Sequence, residues 1–313
     1  MTNENLRLAI TGATGFIGRQ LLKDCTQAGI SVSALTRQPV AKQSQVDTPS
    51  IRWVRGDLSK LDALADLVHD VDCVIHLAGA TKGLSDNDFH ATNTVATDQL
   101  AQLCIQKKVG HFLFLSSLAA TRPSVSPYAA SKAAAETALI ELRPQIDVTL
   151  LRAPAVLGPD DTATHALFSN LAKGIMPVPG GKAGEARFSI IDVLDLTALL
   201  LSLAQTRQPF VEPIAPYGHQ SLGWQDMAQS AARVTKRRVR QITLPAPIMS
   251  MVAKTTDIIA KLRGKPQVFS SDKLSEMNAG DWIATSPVDN PVTLDDTLRR
   301  CLEPFQKQPN RPV

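Results

Sequence analysis

Thr11-Gly12-Ala13-Thr14-Gly15-Phe16-Ile17-Gly18 follows the short β-like run at 6–10 and opens a stretch that places Ile17, Leu21 and Leu22 on one helical face. Glycine recurs every third position between a strand and a helix. Gly12 permits a tight turn. Gly15 lets the backbone approach a phosphate with no Cβ in the way, and Gly18 allows the helix to pack closely on the strand. Amides freed at such a turn, together with the helix dipole, form a site for the pyrophosphate of a dinucleotide.

Outward from this turn, strand and helix signals alternate. Gly29 closes the first helix, and 30–35 reads as a second strand and 51–54 as a third, ended by Gly56-Asp57-Leu58. Leu61, Leu64, Leu67 and Val68 repeat at helical spacing, and 71–77 is a fourth strand with Ala78-Gly79-Ala80 at its end. Residues 93–104 read as helix, 111–115 as a fifth strand ending in Ser116-Ser117, 128–142 as an alanine-rich helix and 147–151 as a sixth strand. Such alternation predicts an α/β fold of Rossmann type: a doubly wound parallel sheet, with a smaller, mainly helical substrate domain. Residues 1–160 with about 186–218 are expected to form the nucleotide-binding domain, and about 161–185 with 219–313 the substrate-binding region. Within the latter, 177–184 reads as loop, the chain from Trp224 as helix and loop with a helix over 248–262, and the proline-containing tail 304–313 as frayed.

Composition bounds the function. Apolar residues at 44% support a buried core and exclude wholesale disorder. Aromatics at 4% argue against a stacking surface for single-stranded nucleic acid, and the net charge of +4 does not demand nucleic acid as a partner. Cys25, Cys73, Cys104 and Cys301 are scattered without a CxxC and read as reduced core thiols; the six histidines are dispersed, so no metal is expected. Residues 1–12 do not read as a signal peptide, and the best apolar run, 193–204, is too short to span a membrane. The expected location is cytoplasmic, with a peripheral membrane contact left open.

Six motifs in order, TGATGFIG at 11–18, GDL at 56–58, HLAG at 76–79, SSLA at 116–119, YAASK at 128–132 and RAPAVLGP at 152–159, resemble the extended short-chain dehydrogenases/reductases, a group that includes NAD-dependent epimerases and dehydratases and many ketoreductases. The resemblance implies cofactor contacts from Gly12, Thr14, Gly15, Phe16, Ile17, Asp57, Leu58, Leu77, Ala78, Gly79, Lys132 and Pro154, with Asp57 beside the adenine. Cofactor choice turns on the end of the second strand, where an acid would bind the ribose 2′-hydroxyl of NAD. Here the chain reads Leu35-Thr36-Arg37, and Arg19 follows the last motif glycine. Two guanidiniums suit a 2′-phosphate, which favours NADP(H); NAD(H) is the alternative if both arginines are merely solvated.

Tyr128 and Lys132 are four apart at the start of a helix, hence on one face. A phenol titrates near 10, and a neighbouring ammonium lowers that value. Ser117, ending the fifth strand, is placed to hydrogen-bond a substrate carbonyl. The resemblance assigns catalysis to Ser117, Tyr128 and Lys132. Two features depart from the sugar epimerases: Tyr128 follows Ser117 by only 11 positions, and the Tyr-Gly expected in that loop is replaced by Thr121-Arg122. The stretch 245–265 is apolar and basic, read either as a packed helix with a charged outer face or as a greasy entrance or membrane contact. Together these features favour reduction of an apolar carbonyl such as a 3-oxo-lipid or 3-oxo-ceramide. The alternatives are a nucleotide-sugar epimerase or dehydratase, in which Arg187 would meet a second pyrophosphate, and a non-catalytic dinucleotide-binding scaffold. A homodimer is the macromolecular partnership left open.

Overall fold

The computed structural model describes residues 6–39, 50–206, 210–267 and 269–306. Contacts divide the chain into two compact units, 1–152 with 196–214 and 153–195 with 215–313.

The first unit runs β1 (Arg7–Thr11), α1 (Phe16–Gln27), β2 (Ser31–Thr36), β3 (Ile51–Arg55), α2 (Leu61–Leu67), β4 (Cys73–His76), α3 (Asp86–Phe89), a π-helical turn (His90–Val95), α4 (Ala96–Gln106), β5 (His111–Ser117), α5 (Pro127–Glu141) and β6 (Asp147–Ala153). Its six strands form one parallel sheet in the order β3-β2-β1-β4-β5-β6, the Rossmann arrangement. Strands buried on both faces should read as continuous apolar runs. The buried Leu8–Ile10 of β1 and Cys73–Ile75 of β4 do so, each run ending in a buried polar residue, Thr11 and His76. Leu64, Leu67, Leu100, Phe112, Phe114 and Leu139 are wholly buried between sheet and helices. The chain crosses from one side of β1 to the other between β3 and β4. In β1/β4 the register pairs Thr11 with His76, so the two loops that follow leave the sheet together at the topological switch point.

The expected helix at 93–104 begins earlier, as the π-helical turn, and becomes α-helical only at Ala96. Apolar spacing does not distinguish the two windings over so short a stretch.

In the second unit follow β7 (Ala155–Leu157), α6 (His165–Ala172), β8 (Ile175–Pro179), α7 (Lys182–Glu185), β9 (Phe188–Asp192) and α8 (Val193–Thr206), the last carrying the chain back into the first unit. Then come β10 (Pro216–Tyr217), β11 (His219–Leu222), α9 (Trp224–Thr235), β12 (Arg240–Leu244), α10 (Ala246–Arg263), α11 (Ser271–Asn278), β13 (Ser286–Pro287) and α12 (Leu294–Gln306). β7 and β11 flank β9, and Leu171, Met176, Ile190, Met227, Leu298 and Leu302 build a separate core.

Two expectations need correction here. The loop read at 177–184 contains part of β8, which pairs in parallel with β12, itself in a stretch read as helix and loop. Proline is admissible in so short a ribbon, where no strand has partners on both sides. The tail read as frayed from Pro304 is helical to Gln306, while 307–313 lie outside the described residues. An interior proline costs a helix about 3 kcal/mol. The buried Leu298, Cys301 and Leu302, and Phe305 packed edge-on at 4.9 Å from His165, outweigh that cost.

Candidate functional site

The glycine turn is as tight as its spacing predicts. Gly12 has φ +71°, and a Cβ there would lie 2.8 Å from the amide nitrogen of Ala78. A Cβ on Gly18 would lie 2.2 Å from the Gly12 carbonyl oxygen. Any side chain at either position would drive the turn off β4 or α1 off the turn. The Gly15 amide donates to the Gly12 carbonyl at 2.9 Å, and Gly15 is the N-cap of α1, with no side chain to occupy the first-turn amides. A Cβ-free cradle opening a helix of this length fits a pyrophosphate. Phe16 and Ile17 begin that helix, and Thr14 gives its carbonyl to the exposed Arg19 guanidinium at 3.0 Å.

Threonine and histidine side chains brace the strand ends beneath this turn. Thr11 Oγ1 accepts from the Ala78 amide at 3.2 Å and lies 2.6 Å from His76 Nδ1. His76 Nε2 lies 2.9 Å from Thr97 Oγ1, which spends its own proton on the Asn93 carbonyl at 2.7 Å. Thr97 therefore accepts, which assigns His76 the Nε2–H tautomer with Thr11 donating to Nδ1. Burial first, then the charge of Lys132, push the His76 imidazole down to about 3, so it stays neutral. It is a core histidine, and among the described residues no three His, Cys, Asp or Glu side chains gather in a metal-binding group. Burial likewise pushes the Cys25 and Cys301 thiols up to about 12, and Cys73 and Cys104 are also buried and unbridged.

Arg37 is exposed at the end of β2. Its charge reaches Asp57, whose carboxylate accepts from the Ser59 amide (2.8 Å) and hydroxyl (2.5 Å). The two Ser59 bonds, then Lys60 and Arg37, hold that carboxyl below its ordinary value. Leu58 follows, packed partly against the sheet core. Arg37 and Asp57 are thus neighbours, the first offering a cation and the second an acceptor.

At the end of β5 the two serines diverge. Ser116 is buried and its hydroxyl donates to Glu136 at 2.5 Å; Ser117 is half-buried and its Oγ accepts from the Ala119 amide at 3.2 Å, capping a 3-10 turn. α5 starts under a Ser126 cap with Pro127 in its first turn, the sequence signature of a helix start. This start fixes Tyr128 and Lys132 one turn apart. Tyr128 is half-buried with its ring edge-on to Phe89 at 6.3 Å. Lys132 is 5% exposed, its ammonium donating to the Leu115 carbonyl at 2.8 Å and lying 4.4 Å from the Phe114 ring centroid. A Cβ on Gly79 would stand 3.4 Å from that nitrogen, so the ammonium reaches the end of β4 beside Leu77 and Ala78. Desolvation lowers the Lys132 ammonium to about 8, with Glu136 opposing. A buried ammonium one turn from a phenol stabilises phenolate and moves a proton at neutral pH more readily than a free tyrosine does. The expected site residues of the first unit are thus carried by the ends of β1, β2, β3, β4 and β5, the first turn of α1 and the first two turns of α5. Pro154, between β6 and β7, belongs to the second unit.

Sequence reasoning passed over three residues here. Asn93, wholly buried in the π-helical turn, donates to the Ala80 carbonyl and Ser131 hydroxyl (both 2.9 Å) and accepts from the Ala80 amide at 2.7 Å, pinning the loop after β4 onto α5. Glu136 and Arg152 form a forked pair with contacts of 2.6–3.1 Å. The one available signal was spacing: Glu136 lies four residues beyond Lys132, on the same helical face.

The pattern described as NAD dependent epimerase/dehydratase family matches residues 8–215. The chain belongs to that family. Its members use a nicotinamide dinucleotide, and this member of the NAD dependent epimerase/dehydratase family is an NAD(P)-dependent enzyme of the dehydrogenase/reductase type. The chain is 31% identical over 280 residues to a ceramide reductase from Caulobacter vibrioides, covering 89% of this chain and 86% of that one. It is 26% identical to a 2-alkyl-3-oxoalkanoate reductase from Stenotrophomonas maltophilia over 50% of this chain and 52% of that protein. A UDP-glucuronic acid 4-epimerase from Bacillus cereus in complex with NAD shares the fold, with a TM-score of 0.72, 18% identity and coverage of 96% and 99%.

Proposed function

We propose that this chain is an NADP(H)-dependent reductase of a ketone on a lipid-like molecule, with a 3-oxo-lipid or 3-oxo-ceramide as the substrate class. The observation that carries the reading is the buried Lys132 ammonium, tied to the end of β5 and lying beside Gly79 at the end of β4, one helical turn from Tyr128. Extended likeness to a ceramide reductase supports the substrate class.

A nicotinamide cofactor bound there would supply hydride to the carbonyl carbon. Tyr128 gives its phenolic proton to the carbonyl oxygen, and Lys132 lowers the cost of the phenolate left behind. Ser117 donates to that oxygen and orients it. The turn at Gly12–Gly18 would hold the pyrophosphate, Asp57 and Leu58 would meet the adenine, and Leu77, Ala78 and Gly79 would border the ribose and nicotinamide. Arg37 would grip a 2′-phosphate, which supports NADP(H) over NAD(H).

Within the second unit, the Arg187 guanidinium is 3.4 Å from Asp226. An arginine so engaged is less available for a second pyrophosphate, which supports an apolar substrate over a nucleotide sugar. The test is NADPH oxidation with a long-chain 3-oxo-ceramide and, separately, competition by a UDP-sugar. Turnover of the ceramide without UDP-sugar competition is expected. Competition by the UDP-sugar with no response to the lipid would replace this reading by the epimerase.

A further inference from the structure

α10 has two apolar faces, and only one is covered. Met249, Ala253 and Ala260 are its buried residues; the first two pack with Leu274 of α11 and with Phe269 and Met277. At 100° per residue the exposed Ile248, Met251, Val252, Ile258, Ile259 and Leu262 fall in a separate stripe about 120° wide, facing away from the buried one. These side chains are between 38% and 82% exposed, an unusual concentration on one helix. Lys254 and Lys261 border the stripe on one side and Arg263 on the other, all exposed.

Charge identifies the occupant. Residues 236–267 hold eight lysines and arginines and one acid, whereas the whole chain has 33 basic and 29 acidic residues. The rest of the chain is therefore net acidic, and its cationic excess is concentrated around this helix. The single acid, Asp257, is taken up by the Ser271 amide at 3.2 and 3.3 Å. A second copy docking stripe to stripe would set one cationic rim against another, which opposes a symmetric pair. No helix among the described residues is long and apolar enough to cross a membrane. An apolar stripe between cationic rims matches a helix lying in the interface of an anionic bilayer.

We propose that α10 docks this protein on an anionic phospholipid surface, with the Ile248–Leu262 stripe at the acyl boundary and Lys254, Lys261 and Arg263 on the lipid phosphates. The proposal extends the lipid-substrate reading but stands on this surface alone, so it is tested without substrate or cofactor. The full chain is co-sedimented with vesicles of phosphatidylcholine, alone or mixed with phosphatidylglycerol. Binding to the mixed vesicles is expected, at least about 10-fold tighter than to phosphatidylcholine alone and weakened by salt. The variant K254Q/K261Q/R263Q should bind the mixed vesicles roughly 100-fold more weakly, at about fivefold per lost cation. M251E/I258E/L262E should lose binding while keeping the parental circular dichroism, since these three side chains are 63%, 59% and 82% exposed. If that variant fails to fold, the charge variant and the salt series still decide. Equal binding to both vesicle types, no binding to either, or undiminished binding by the charge variant would overturn the proposal. So would a dimer in sedimentation velocity that the glutamates turn into monomer, because the stripe would then belong to a second copy. Vesicle binding in a protein that fails to reduce 3-oxo-ceramide would refute the substrate reading and leave this one intact.

Discussion

Removing the Arg152 guanidinium should be among the most costly single changes in the first unit. The Glu136 side chain is 4% exposed and its carboxylate accepts from Arg152 Nε, Arg152 Nη2 and Ser116 Oγ. Arg152→Leu would leave that carboxylate buried with the serine alone. Breaking a buried pair from one side costs about 3–5 kcal/mol, whereas replacing both partners by apolar groups of similar volume is often close to neutral. Glu136→Met/Arg152→Leu should therefore regain most of the loss, short of about 1 kcal/mol for the Ser116 hydroxyl left without its acceptor. The assay is urea unfolding followed by circular dichroism at neutral pH. With a slope of about 1–3 kcal/mol per molar urea, the single variant should unfold about 1 M or more below the parent. A loss under about 1 kcal/mol in Arg152→Leu, or a double variant as unstable as the single one, would refute the reasoning. Lys132 reports on the same pair, because Glu136 raises its ammonium against desolvation.

Arg37→Ala should weaken NADPH about 10- to 150-fold and NADH far less, the worth of one charge-assisted contact to a 2′-phosphate; equal losses in a fluorescence titration would return the choice to NAD(H). Lys132 titrates near 8 in the fold against an ordinary value near 10.5, so its burial penalty is complete below about pH 8 and fades as pH rises toward 10.5. Stability should therefore rise across that window by about 3 kcal/mol relative to Lys132→Met, and parallel pH profiles for the two proteins would contradict the burial argument. Gly18→Ala should destabilise the fold by 2 kcal/mol or more and abolish dinucleotide binding, because its Cβ would overlap the Gly12 carbonyl oxygen at 2.2 Å; a parental melting temperature would show that the turn relaxes freely.

What the chain discloses before folding follows the range over which each cause acts. Gly12, Gly15 and Gly18 are legible because the turn's requirements are local, and the β1–β6 sheet is legible because strands buried on both faces leave long apolar runs. The Ser126 and Pro127 helix start, which sets Tyr128 against Lys132, is equally local. β8 and β12 are not legible, since each becomes a strand only by pairing with the other across more than sixty residues. Pro304 argues locally for a helix end and is overruled by Leu298, Cys301 and Leu302 in a core assembled from distant segments. Asn93 and the Glu136–Arg152 pair belong to the same class: their partners at Ala80, Ser131 and Ser116 come together only when the sheet closes. At α10, composition marks an apolar and basic helix, but only packing separates the covered stripe from the open one.

The central claim is that Tyr128 is the proton donor of a carbonyl reductase. It is tested by measuring NADPH affinity and single-turnover reduction of a long-chain 3-oxo-ceramide by Tyr128→Phe beside the parent protein. Loss of the phenolic proton should leave NADPH affinity within about twofold and lower the reduction rate on the order of 100-fold or more. Near-parental reduction by Tyr128→Phe would contradict the claim.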